Sequence, residues 1–182
     1  MLGTCLEAVG RALLLCDELV SEMILGSVEC LGRGDVLCLY ARLRLALEAA
    51  IQRAFYRLMG IEWGEALKRI SHRSRFAASF TASMIKNLRG VHGVRKRWIL
   101  RTYLRLGTWL HPSVEMRRCG GRPPLDEELV VDVLDAITYL CSYAAGGVPK
   151  NLAEVSELCT LRNTAKLLRK VSPEGGMFNK NK

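Results

Sequence analysis

The chain of 182 residues contains no apolar run near the length a membrane-crossing helix requires, about 20 residues, so no membrane partner is expected. Its N-terminal stretch is apolar but interrupted by Glu7, Arg11, Asp17, Glu18 and Glu22 at helical intervals; it reads as amphipathic. The seven cysteines, at 5, 16, 30, 38, 119, 141 and 159, form no CxxC pair. No histidine stands near them at ligand spacing, which excludes the usual structural zinc sites. The glycines follow neither a P-loop nor a dinucleotide-binding pattern, and no carboxylate cluster suggests a catalytic metal. Neither a metal nor a cofactor is implied. Nothing alternates with the period of a strand pair joined by hairpin turns, and neither an internal repeat nor a low-complexity stretch is present.

What remains is helical periodicity. Leu6, Val9, Leu13, Cys16, Val20, Met23, Ile24 and Leu31 recur at three- and four-residue steps, predicting one helix over residues 2–31. Gly32 and Gly34 end it, and Asp35 caps a second helix with the stripe Val36, Tyr40, Leu43, Leu47, Ala50, Ala54 and Leu58. The short turn between them predicts an antiparallel hairpin. Arg44 and Glu48 are spaced to pair on the polar side of the second helix, an interaction worth a few tenths of a kcal/mol when solvated. A less regular helical region follows over 62–88, and a fourth helix over 95–109, before His111-Pro112. Asp126 then caps an amphipathic helix closed by Gly146-Gly147. Asn151-x-x-Glu154 has the pattern of a capping box opening one last helix to about Lys170. The fold class expected is all-α, an antiparallel helical bundle over 1–145, with an additional C-terminal helix within 146–172 and a disordered tail at 173–182.

Charge is concentrated in one place. Between Lys86 and Arg122 stand ten basic residues and one acid, Glu115, a net +9 that equals the charge of the whole chain. Everything outside that segment therefore sums to zero. A neutral body with one cationic stretch suits a polyanion, and arginine forks onto phosphate better than lysine does. Arg95, Lys96, Arg97, Arg101, Arg105, Arg117, Arg118 and Arg122 are the candidate nucleic-acid-binding residues. Arg97, Arg101 and Arg105 are four apart and stack along one helix face. Ion pairs to the acidic helix at 126–135 are the competing explanation for these cations. Cysteines on apolar helical faces read as reduced thiols in a cytoplasmic protein, although their pairing is open. Trp63, Trp98 and Trp109 read as core. His72 and His92 read as exposed.

Residues 103–113, Tyr-Leu-Arg-Leu-Gly-Thr-Trp-Leu-His-Pro-Ser, carry a resemblance. Arg105 and His111 with five residues between them resemble the R-x4-6-H motif of HEPN domains (higher-eukaryote and prokaryote nucleotide-binding). The ending Leu-x-x-x-Leu-His-Pro-Ser is similar to a form common among archaeal members. The helix through Leu43-Arg-Leu-Ala-Leu-Glu-Ala-Ala also resembles the long helix of that fold. The resemblance implies a homodimer and an RNA-directed module. For an active member it implies metal-independent cleavage, with His111 moving a proton and Arg105 holding the scissile phosphate. Six positions along a straight helix separate those side chains by about 120°, so catalysis within one chain requires a bend. Three functions are therefore open: a nucleic-acid-binding module (RNA favoured), a ribonuclease using Arg105 and His111, and a scaffold subunit that binds an acidic or other protein partner.

Overall fold

In a computed structural model of the chain, residues 1–14, 17–62, 64–66, 68, 77–111, 117–145 and 151–171 are described. The readings placed on Cys16, Trp63, His72, the 146–150 loop and the tail lie outside them. Eight helices of seven or more residues are described: α1 Leu2–Leu13, α2 Glu18–Gly32, α3 Val36–Leu58, α4 Ala77–Lys86, α5 Gly93–Thr108, α6 Glu127–Ala145, α7 Leu152–Leu158 and α8 Arg162–Val171. There is no strand among the described residues. The chain is all-α.

The single helix expected over 2–31 is two. Asp17 interrupts it: its backbone is extended, and its carboxylate accepts from Val20 N at 3.2 Å as the N-cap of α2. The apolar period runs through the break because α1 and α2 fold back on one another and bury their stripes against the same core. Gly3 lies against Leu31 and Gly10 against Leu25, so the two run antiparallel. The Ser21 hydroxyl donates to Gly10 O at 2.7 Å across that interface. Asp17 is 4% exposed and is held by Arg53 of α3 at 2.9 Å. The α2–α3 hairpin forms as its glycines predict. Gly34 takes φ +66°, Asp35 N bonds Cys30 O at 2.9 Å, and Asp35 caps α3 through Cys38 N at 2.9 Å.

Helix α3 is the axis of the bundle and packs on α2, α4, α5 and α6. Leu39, Tyr40, Leu43, Ala46, Leu47, Ala50, Ile51 and Ala54 are buried along it, and each fully buried Leu or Ile contributes roughly 1.5–3 kcal/mol. Helix α6 packs against α1, α3, α5 and α8 and buries an unbroken run from Val133 to Leu140, as an inner helix covered on several sides must.

The C-terminal helix is also two. Leu161 N returns to Ser156 O at 2.7 Å and Thr160 takes φ +56°, a six-to-one closure that stops α7 and redirects the chain. The capping box does not form. Asn151 has helical dihedrals and no side-chain cap bond, because only an extended N-cap backbone aims its side chain at the first free amides. Helices α7 and α8 pack on α1 and α6 respectively. What anchors α8 is Asp135, 3% exposed on α6. Its carboxylate accepts from Asn163 N, Asn163 Nδ2, Thr164 N and Thr164 Oγ1 at 2.8–2.9 Å, satisfying the first amides of α8 from a neighbouring helix.

The expectation of reduced thiols is corrected at four positions. Cys5 of α1 is bonded to Cys159 after α7, and Cys30 of α2 to Cys38 of α3. Their Cα–Cα separations of 5.4 and 5.6 Å are ordinary for disulfides. Each pair joins two helices whose apolar faces meet, which is why the same residues read as buried hydrophobes in sequence.

Candidate nucleic-acid interface

Helix α5 positions most of the cationic segment. Its inward stripe is Ile99, Thr102, Tyr103 and Leu106, and Trp98 sits edge-on to Tyr139 of α6 at 6.0 Å. Trp98 and Trp109 are half-buried against the core. His92 is the N-cap, its Nδ1 accepting from Val94 N at 3.3 Å; its ring is exposed, and it has a structural task as well. With the inward stripe packed, Arg97 and Arg101 are left exposed, one turn apart on the outer face. Neither forms an ion pair with a described residue. Arg117, Arg118 and Arg122, in the turn before α6, are exposed as well.

Three of the expected cations have intramolecular work. Arg105 is 39% exposed and bridges Asp126 at 3.1 Å and Asp132 at 3.4 Å. It leaves the Arg97–Arg101 row because eight residues of helix turn it by about 80°, toward the start of α6. Lys96 Nζ donates to Lys86 O at 3.1 Å, placing a cation at the carbonyl end of α4, where the helix dipole favours it. Arg95 is half-buried and close enough to Tyr139 to act on its phenol electrostatically. The ion pairing to the acidic helix is thus real for Arg105 but does not extend to Arg97 or Arg101.

His111 and Arg105 do not meet within the chain. Helix α5 stays regular to Thr108, and Leu110 N and His111 N both bond Gly107 O, so no bend brings the two sides together. Arg105 faces α6, whereas the exposed His111 lies beside Gly107 and Arg44. A Cβ on Gly107 would stand 2.7 Å from Arg44 Nη1 and 3.9 Å from His111 Cδ2. Glycine there lets the Arg44 guanidinium reach the α5 backbone, donating to Tyr103 O at 3.0 Å.

That guanidinium belongs to a polar cluster that residue spacing undervalued. Arg44 Cζ lies 3.5 Å from the centre of the Tyr103 ring. Glu48 Oε1 accepts from Arg44 Nε at 2.8 Å and from Tyr103 Oη at 2.9 Å. Thr81 of α4 also hydrogen-bonds the phenol. The Arg44 and Glu48 side chains are 11% and 22% exposed, so the pair ties two helices together and is not the solvated i,i+4 pair its spacing suggests. Burial raises the Tyr103 phenol above its ordinary value. The signal in sequence was Arg44 and Glu48 flanked by Leu43, Leu45 and Leu47, but their partners lie over thirty residues away and carry no pattern of their own.

Tyr40 performs the matching task at the other end of the interface. Its hydroxyl donates to Pro124 O at 2.8 Å and accepts from Asp126 N at 2.9 Å. This fixes the entry to α6, where Asp126 caps Leu129 N at 2.9 Å. The Asp132 carboxyl is pushed above the usual carboxylate range by burial, which outweighs the lowering by Arg105; Glu128, Asp135 and Asp126 add to the rise. Among the described residues no group of histidine, cysteine and carboxylate side chains could hold a metal ion, and no helix is long and apolar enough to cross a membrane.

Comparison with protein-family models, with curated proteins and with solved structures returned no match to this chain. The site must be read from its own chemistry.

Proposed function

We propose that the chain is a nucleic-acid-binding helical module, RNA favoured, that engages phosphates through the outer face of α5 and the Arg117–Arg122 turn. The observation that carries this reading is the N-terminal half of α5. Its first turn contains no acid, and Arg95, Lys96 and Arg97 follow at once, where the macrodipole already supplies about half a positive charge. Bases there oppose the helix, and no described carboxylate offsets Arg97 or Arg101. An anionic ligand supplies the missing compensation, and arginine favours phosphate through paired donors.

Catalysis is the weaker reading, because Arg105 is occupied by two carboxylates and His111 stands on another side of the helix. A HEPN-like homodimer remains part of the proposal on the strength of the 103–113 motif alone; mass measurement by light scattering tests it.

The test of binding is fluorescence anisotropy of a labelled single-stranded RNA across a salt series. Affinity should fall with salt, and Arg97→Ala with Arg101→Ala should reduce the logarithmic slope by about 0.7 for each phosphate that is no longer neutralised. Binding that ignores salt, or a slope unchanged in the double variant, would refute the proposal.

A further inference from the structure

A second cationic surface lies outside the Lys86–Arg122 segment, where the sequence sums to zero and attracts no notice. Helices α7 and α8 diverge from the Thr160 turn and leave an open groove of about 350 Å3 between them. One wall is the outer face of α8. Arg162, Lys166 and Arg169 all line it, and all three are exposed. Their spacing of four and three residues puts them on one stripe about 10 Å long. Helix α8 contains no acid, and none of the three forms an ion pair with a described residue. Like charges at that spacing repel; Arg162 also borders an acidic depression lined by Glu127, Glu128 and Asp132, whereas Lys166 and Arg169 do not line it. The other wall carries Ser156 and Glu157, with Thr160 at the apex. The first amides of α8 are already taken by Asp135, so an anion in this groove meets side chains and not a free helix terminus.

We infer that the α7–α8 groove binds a phosphate monoester whose remainder carries hydrogen-bond donors. The monoester has about −1.5 to −2 charge at neutral pH, enough to be shared by two arginines and a lysine. Glu157 on the facing wall repels a continuous polyanion but accepts from a hydroxyl or amine, so the ligand has one anionic end and one donor end. Glu127, Glu128 and Asp132 line that depression against the Thr160–Asn163 turn, and Asp132 also bridges Arg105 of α5 at 3.4 Å. A strand held on α5 is therefore not led into the α7–α8 groove, and the site is independent of the RNA reading. Two sources share the chemistry: a free nucleoside monophosphate, and the 5′-phosphorylated end of a nucleic-acid strand.

The experiment titrates the full chain with adenosine 5′-monophosphate by calorimetry, with adenosine as control. Parallel titrations use a short RNA with and without a 5′-phosphate. Saturable binding of either phosphorylated probe is expected, about tenfold or more weaker without the phosphate group. Lys166→Gln with Arg169→Gln should weaken it by at least as much and erase the gain that the phosphate group gives. Both replaced side chains are exposed, so the melting temperature should not move. Adenosine 5′-monophosphate binding assigns a free nucleotide, and a gain from the 5′-phosphate of the RNA without adenosine 5′-monophosphate binding assigns a strand end. The inference is overturned if the phosphate group adds nothing to the binding of either probe, or if the gain it gives survives in the Lys166/Arg169 variant. Loss of general RNA affinity on changing Arg97 and Arg101 tests only the α5 reading.

Discussion

Replacing Asp135 with alanine should undo the docking of α8. The carboxylate is 3% exposed and accepts four hydrogen bonds, two of them from backbone amides at the start of α8. Removing it leaves those amides and the Thr164 hydroxyl to Thr138 Oγ1 and the Asp135 backbone carbonyl, which together satisfy only the hydroxyl. An orphaned buried donor costs about 1–3 kcal/mol, so two orphaned backbone amides cost roughly 2–6 kcal/mol together. A loss of about 4 kcal/mol is therefore expected, a large share of the roughly 5–15 kcal/mol a domain possesses. For a chain of this size that lowers the melting temperature by about 8–16 °C. Urea unfolding measures the free energy, and hydrogen exchange should show Asn163 and Thr164 losing protection first. Asp135→Asn is the control: it keeps one acceptor oxygen but turns an amide against the Asn163 donors, so it should lose about half as much. A cost under about 1 kcal/mol for the alanine variant, with Asn163 and Thr164 still protected, would refute this account of the anchor.

Three further outcomes follow from other parts of the structure. Thr160 holds a left-handed conformation that is costly for a β-branched residue, so Thr160→Gly should stabilise the chain by about 0.5–1 kcal/mol after the entropy glycine adds to the unfolded state; a destabilised glycine variant would contradict this. Burial raises the Asp132 carboxyl, so the folded chain binds that proton more tightly than the unfolded one. Its contribution to stability therefore falls as pH rises from the ordinary carboxylate range through the raised value. Asp132→Asn should accordingly gain on wild type as pH rises from the ordinary carboxylate range in paired urea titrations, and a variant that loses ground as pH rises would count against the reading. The Cys5–Cys159 bond spans 154 residues and Cys30–Cys38 spans 8, which in the chain-entropy model correspond to about 5 and about 2.6 kcal/mol. Non-reducing melts of Cys5→Ser and Cys30→Ser should keep that order; equal or reversed losses would show that loop closure does not govern them.

Much of the chain's local structure followed from residue order, because caps and apolar periods act within four residues. Asp35, Gly34, Asp126 and the stripes of α3 and α6 were legible for that reason. The break at Asp17 was not: an apolar period is the same whether a helix continues or folds back onto the same core. The false capping box at Asn151 failed for a related reason, since the motif specifies residue types but not the backbone angle that aims the cap.

The sequence alone determined that this protein is helical and that its charge is gathered on one segment, since periodicity and composition are properties of neighbours along the chain. Only the tertiary structure decided which cations are available. Arg105 is drawn to Asp126 and Asp132, Lys96 to the end of α4 and Arg44 into a buried cluster, while Arg97 and Arg101 are left to solvent. Those partners come from helices distant in sequence, and packing rather than order chooses between an ion pair and an open surface.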